Sequence, residues 1–150
     1  MPTVSEMLAA AQARGVEKKL SYDGEVLPAE AYELLKKAPG AKLVDVRTHA
    51  EWDYVGRIPG AVEIEWQSYP DGKPNPTFVE QLKQQVHPEA LVMFICRSGA
   101  RSHQAATAAA AAGYTQGYNV LEGFEGNKNA DSHRNTVGGW RAAGLPWFQS

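Results

Sequence analysis

Short apolar runs alternate with amphipathic stretches along most of the chain. The apolar runs predict buried strands at four places, residues 42–46, 61–65, 91–95 and 117–121. Apolar residues at helical spacing, bounded by proline, glycine or capping residues, predict helices over residues 5–13, 28–38, 50–54, 77–86, 105–112 and 136–143. This alternation is typical of a mostly parallel sheet with helices on both faces, so the pattern predicts an α/β fold.

The chain is predicted to form one domain over residues 1–150. Its 150 residues, 43% of them hydrophobic, are sufficient for a single core, and the sequence shows no internal repeat. Residues 123–139, GFEGNKNADSHRNTVGG, are polar and rich in glycine. They predict a surface loop, with a lid over a site as the alternative.

Charge and composition narrow the range of partners. The formal net charge is −2, so no overall positive charge favours nucleic acid or an anionic membrane. No apolar run approaches the ~20 residues of a membrane-spanning helix, and the first residues lack the signal-peptide pattern. We therefore expect a cytoplasmic protein that binds neither nucleic acid nor membrane. The four histidines and one cysteine lack zinc-ligand spacing, and we expect no metal and no cofactor.

The only cysteine, Cys96, directly follows the apolar run 91–95 and lies just before an alanine-rich helix. A thiol between a strand end and a helix start faces unpaired backbone N–H groups and the positive end of the helix dipole, which favour a thiolate. Arg97 and Arg101 add positive charge. The pattern predicts a nucleophilic thiol, and a structural core cysteine is the alternative. Because the chain has no second cysteine, a sulfur atom bound to Cys96 must be transferred to an external acceptor.

Charged residues near this thiol have predicted roles. Asp45 and Arg47 lie at the end of the strand predicted over residues 42–46. Because parallel strands end at one edge of a sheet, we expect both residues to support the loops beside Cys96. Arg97 is predicted to contact an anionic donor, with a solvated surface arginine as the alternative. Arg101 is predicted to support the loop through an inward salt bridge, with Asp45 as the expected partner. Direct contact with substrate is the alternative.

The small residues of the segment complete the predicted loop. The hydroxyls of Ser98 and Ser102 can donate to a bound sulfur anion or cap the helix, and capping is the expected role of Ser102. Gly99 permits a positive φ in a tight loop, with Ala100 beside it.

Four segments, in this order, resemble the motifs of the rhodanese domain family across nearly the whole chain. They are Leu43–Arg47 with Glu51–Trp52, Gly56–Ala61, Cys96–Ser102, and Asn119–Gly123 with Trp140–Pro146. The resemblance implies an α/β domain with a central parallel five-stranded sheet, preceded by a helical extension at residues 1–19. It also implies a sulfurtransferase: Cys96 takes a sulfane sulfur from a donor such as thiosulfate and passes it, as a persulfide, to a thiol, cyanide or protein acceptor.

Departures from the family pattern leave alternatives open. Arg57 replaces the usual histidine, Phe124 replaces the second glycine of the closing motif, and residues 123–139 are longer than the usual connection. The related cell-division-cycle phosphatases have the longer loop C-x5-R, whereas Cys96 to Arg101 follows C-x4-R. We therefore rank sulfur transfer above a phosphatase or arsenate reductase. A persulfide carrier or docking module for one protein partner is the other alternative.

Overall fold

The protein, described here as a computed structural model, is defined over residues 2–149. Five helices accompany five strands in the described chain. In order along the sequence they are α1 Val4–Lys18, β1 Gly24–Val26, α2 Pro28–Lys37, β2 Lys42–Asp45, α3 His49–Tyr54, β3 Val62–Glu63, α4 Phe78–Gln85, β4 Val92–Ile95, α5 Ala100–Ala111 and β5 Gly117–Val120. Among these residues, no helix has both the length and the apolar character needed to cross a membrane.

The strands form one parallel sheet in the order β1-β5-β4-β2-β3. The middle strand, β4, is buried along its whole length, which explains its unbroken apolar sequence. Because every strand runs in the same direction, the carboxyl ends of β2, β4 and β5 meet at one edge. The predicted α/β fold with a five-stranded parallel sheet is confirmed.

Alternate residues of the strands pack into two apolar layers, one on each face of the sheet. On one face, Leu43, Met93 and Val120 pack against α1 and α2. On the other, Val44 and Phe94 pack against α4 and α5. The alanines of α5 allow this helix to approach the sheet closely.

Helix α1 is longer than predicted. A capping box between Thr3 and Glu6 begins it, and it continues through Gly15 to Lys18. Gly15 does not end the helix, because its lack of a side chain permits contact with β1: a Cβ there would lie 2.5 Å from the carbonyl oxygen of Asp23. The helical extension is therefore packed against the edge of the sheet.

The helix predicted over residues 136–143 is absent, and this segment forms bends followed by turns. Gly139 has φ +102°, and a Cβ on it would lie 2.6 Å from the backbone nitrogen of Gly126. The backbone at Gly139 packs directly against the backbone at Gly126, and the segment does not form the predicted helix. Helix α5 also differs, beginning at Ala100 rather than at residue 105.

Candidate active site

Cys96 lies directly beyond β4, at the edge where the strands end, and only 1% of its surface is exposed. Gly99, three residues later, is the N-cap of α5 with φ +115°. This conformation favours glycine, and it turns the chain so that the backbone N–H of Gly99 donates to Sγ of Cys96 at 3.1 Å. The start of α5 therefore offers the sulfur a donor that stabilises its anionic form.

A hydroxyl and an amide lie behind the sulfur. Oγ of Ser102 is 3.3 Å from Sγ of Cys96 and 2.5 Å from Oδ1 of Asn119. Ser102 lies in the first turn of α5 but does not cap it, because its hydroxyl faces inward and is fully buried. The expected capping role is therefore wrong. Asn119 was not singled out from the sequence; its signal was an amide inside an otherwise apolar strand, β5.

Arg101 forms a two-point salt bridge with Glu51. Nη1 to Oε1 measures 2.7 Å, and Nη2 to Oε2 measures 3.0 Å. The predicted partner, Asp45, is wrong, since α3 rather than β2 presents the carboxylate beside α5. Glu51 is placed by a capping box, because Thr48 begins α3 and bonds the same side chain. Arg101 joins α3 to the start of α5 and so supports the loop.

Burial raises the pKa of the Glu51 carboxyl, but hydrogen bonds and charge from Arg101, with further bonds from Thr48, lower it overall to about 2. Burial lowers the pKa of the Arg101 guanidinium, but its bonds to Glu51 raise the pKa above its ordinary value. Both directions follow from the same ion pair, whose members keep their charges near neutral pH.

Asp45 instead pairs with Arg47, and both side chains are fully buried. Nε of Arg47 donates to Oδ1 of Asp45 at 2.9 Å, and Nη2 donates to Oδ2 at 2.6 Å and to the carbonyl of Gly56 at 2.7 Å. The guanidinium lies 4.1 Å from the ring centroid of Phe124. This pair therefore holds the end of β2 against the turn at Gly56 and the segment at Phe124.

The segment beginning at Gly123 is attached directly to the cysteine loop. Phe124 N–H donates to the carbonyl of Cys96 at 2.8 Å, and Glu125 N–H donates to the carbonyl of Arg97 at 3.0 Å. A Cβ on Gly123 would lie 2.5 Å from the carbonyl oxygen of Cys96. The first residues of the predicted surface loop therefore form one wall of the loop that carries the thiol.

Comparison with known proteins identifies the family of the chain. The family model for the Rhodanese-like domain matches residues 27–130. The chain belongs to the rhodanese-like domain family. An uncharacterized protein of Rickettsia conorii is 39% identical over 124 residues, covering 79% of this chain and 91% of its own length.

Solved structures share the rhodanese-like fold. The crystal structure of Rv0390 from M. tuberculosis has a TM-score of 0.79 and 44% identity, covering 86% of this chain and 99% of its own. The solution structure of the polysulfide-sulfur transferase homodimer from Wolinella succinogenes has a TM-score of 0.57 and 22% identity, covering 99% and 95%. At that identity, the likeness to the second protein concerns the fold alone.

Two clefts flank the cysteine loop of this rhodanese-like domain. One, of about 410 Å³, is lined by Arg97, Arg101, Glu51 and Glu125 and by residues of the segment 67–72. The other, of about 470 Å³, contains Ser98, Gly99, Ala100 and Asn119. Cys96 lines neither cleft, because its sulfur lies beneath the loop. A substrate atom must reach it between the backbone atoms at the loop surface.

Within residues 2–149, no three His, Cys, Asp or Glu side chains are grouped as metal ligands would be. The groups that surround the thiol are instead one backbone N–H, one hydroxyl and nearby guanidinium charge. A polar ring of this kind can stabilise a sulfur anion and a sulfur atom attached to it.

Proposed function

We propose that this rhodanese-like domain is a sulfurtransferase in which Cys96 carries a sulfane sulfur as a persulfide. The observation that supports this most is the Gly99 N–H, which is 3.1 Å from Sγ at the start of α5. A donor in this position stabilises the attacking thiolate and, after transfer, the sulfur atoms of the persulfide.

With thiosulfate as donor, the Cys96 thiolate attacks the outer sulfur. A new S–S bond forms, the S–S bond of thiosulfate breaks, and sulfite leaves with the electron pair. In the second step, a thiolate or cyanide attacks the terminal sulfur of the persulfide, and the Cys96 thiolate is the leaving group. No electron is gained or lost overall, so the cycle requires no redox cofactor.

The donor site is assigned to the cleft beside Arg97. This side chain is exposed at the wall of the cleft, whereas Arg101 is bound at two points by Glu51. Arg97 is therefore free to attract the sulfonate of thiosulfate while the outer sulfur reaches Cys96. We expect small thiols or cyanide as acceptors.

The same ion pair disfavours phosphate chemistry. A phosphate bound at a cysteine loop needs several of its oxygens satisfied at once, and an arginine held by a carboxylate is a poor donor to them. With the short spacing from Cys96 to Arg101, this supports sulfur transfer over phosphatase or arsenate reductase activity.

A persulfide carrier for a protein partner is the second candidate. Its support is Tyr69, which lines the cleft beside Arg97 yet is 70% exposed. Exposed aromatic side chains at a cleft favour contact with another protein. In that case, the loaded Cys96 would react slowly with cyanide and small thiols.

The direct test is thiocyanate formation from thiosulfate and cyanide, compared between the wild-type protein and Cys96→Ser, with hydrolysis of an aryl phosphate measured in parallel. We expect thiocyanate from the wild type only, and negligible phosphate release from both. Equal thiocyanate formation by both proteins contradicts the covalent mechanism. Phosphate release that exceeds sulfur transfer favours the phosphatase. Loading from thiosulfate with slow release to cyanide favours the carrier.

A further inference from the structure

The Ser102 hydroxyl has one proton and three neighbours that compete for it. Oδ1 of Asn119 is at 2.5 Å, the carbonyl oxygen of Gly99 is at 3.2 Å, and Sγ of Cys96 is at 3.3 Å. The shortest of these contacts is the one to Asn119. When the proton points to this amide, Ser102 has only lone pairs to offer the sulfur.

The neighbouring carbonyl fixes the orientation of the Asn119 amide. Its Nδ2 donates to the carbonyl of Gly99 at 3.3 Å, which leaves Oδ1 as the atom that faces Ser102. Turning the amide over would place Oδ1 against the Gly99 oxygen, and the two acceptors would repel each other. Asn119 is 3% exposed, so both contacts are largely shielded from solvent.

We propose that Asn119 is a positioning residue that determines whether Ser102 accepts from Cys96 or donates to it. In the resting protein, the amide holds the hydroxyl proton, and Ser102 accepts the S–H of the thiol. When the thiolate forms, the hydroxyl must turn from Asn119 to donate to the sulfur. The hydrogen bond from Ser102 to Asn119 thus disfavours the thiolate, whereas the Gly99 N–H favours it. This inference deepens, and for its catalytic meaning rests on, the proposed sulfur transfer.

Functionally, a hydroxyl that donates to Asn119 does not donate to the sulfur, so the amide limits how far Ser102 can stabilise a thiolate. A thiol is a weak nucleophile and a poor target for oxidants, whereas the thiolate is both reactive and easily oxidised. Asn119 therefore restrains the reactivity that the start of α5 provides.

Other titratable groups also face this cluster, and none of them is substituted in the test below. On the cleft side, they are Arg97, the Arg101–Glu51 pair and the Asp45–Arg47 pair. On the side of β1, they are Tyr22, which bonds His103, and Glu25, which is paired with Lys18. Burial raises the pKa of Tyr22 to about 12 and a hydrogen bond with Asn119 opposes this rise, so Tyr22 is the group that the Asn119 variants affect directly.

The test is the rate of alkylation by iodoacetamide as a function of pH, which needs no sulfur donor. Asn119→Leu removes the acceptor, and the hydroxyl turns to the thiolate because a charged sulfur accepts better than the Gly99 carbonyl. We expect the pH midpoint to fall by about one unit, the size of one hydrogen bond to a charged group. Asn119→Asp keeps an acceptor for the hydroxyl, and we expect its midpoint to equal or exceed that of the wild type.

The matched control is the same Asn119→Leu change made together with Ser102→Ala. If Asn119 acts through the hydroxyl, the leucine substitution no longer moves the midpoint in that background. The proposal is overturned if Asn119→Leu shifts the midpoint equally with and without Ser102, or does not shift it when Ser102 is present. It is also overturned if the midpoint of Asn119→Asp lies below that of the wild type. If the leucine variant does not fold, Asn119→Ala removes the same acceptor and is compared with and without Ser102→Ala. Because thiocyanate formation is measured separately, its absence would refute sulfur transfer while leaving the result on Asn119 intact.

Discussion

The salt bridge between Glu51 and Arg101 gives a quantitative prediction for Glu51→Gln. Glutamine keeps the shape of the side chain and an oxygen for the Thr48 cap, but it lacks the charge that faces Arg101. It therefore resembles the protonated carboxyl. The lowering of the Glu51 pKa from 4.5 to about 2 corresponds to about 3 kcal/mol of folding free energy at pH 7.

The sign of the pH dependence follows from the lowered pKa. Because the folded value lies below the unfolded one, this stabilisation is complete above pH ~4.5 and is lost as the pH falls towards 2. With these two values, about 1.4 kcal/mol remains at pH 3. The difference in unfolding free energy between wild type and Glu51→Gln should therefore shrink to less than half between pH 7 and pH 3.

Urea unfolding at both pH values measures this difference. The control is Glu33→Gln, which removes a carboxylate that pairs with Lys36 and Lys37 on the surface of α2. We expect no resolvable change in that variant, because both lysines are exposed and solvent screens their charges. A Glu51→Gln difference below about 1 kcal/mol at pH 7, or one of the same size at pH 3, would refute the reasoning.

Three further changes test other parts of the site. Asp45→Asn leaves the buried Arg47 charge without its partner, and it should lower the free energy of unfolding in urea by about 3–5 kcal/mol. A loss below about 1 kcal/mol, as for a surface pair, contradicts a structural role for the Asp45–Arg47 pair. Gly123→Ala places a Cβ 2.5 Å from the Cys96 carbonyl oxygen, and we expect a lower Tm and slower thiocyanate formation. An unchanged Tm and rate would contradict the close contact between this segment and the cysteine loop. Arg97→Ala should raise KM for thiosulfate more than it lowers kcat, and an unchanged KM removes Arg97 from the donor site.

The sequence predicted the parts of the fold that depend on local pattern. The strand before Cys96 is a continuous apolar run, and it is the middle strand of the sheet. The end of α1 and the segment at 136–143 differ from the prediction because their conformations depend on close backbone contacts with residues outside each segment, Asp23 and Gly126. No periodicity within a segment reports such contacts.

The same distinction applies to the candidate site. Cys96, Gly99 and the arginines are close in sequence, so their grouping was visible in one motif. The partners Glu51 and Asn119 come from α3 and β5, and their contacts depend on how these elements pack against α5. The sequence therefore indicated the candidate nucleophile, while the carboxylate and amide near its loop emerged only from the tertiary structure.

Intact-mass measurement after incubation with thiosulfate tests the central claim most directly. We predict that the wild-type protein gains one sulfur, about 32 Da, on Cys96, that cyanide removes this mass, and that Cys96→Ser gains none under the same conditions. An unchanged wild-type mass, or an equal gain in Cys96→Ser, would contradict the persulfide mechanism.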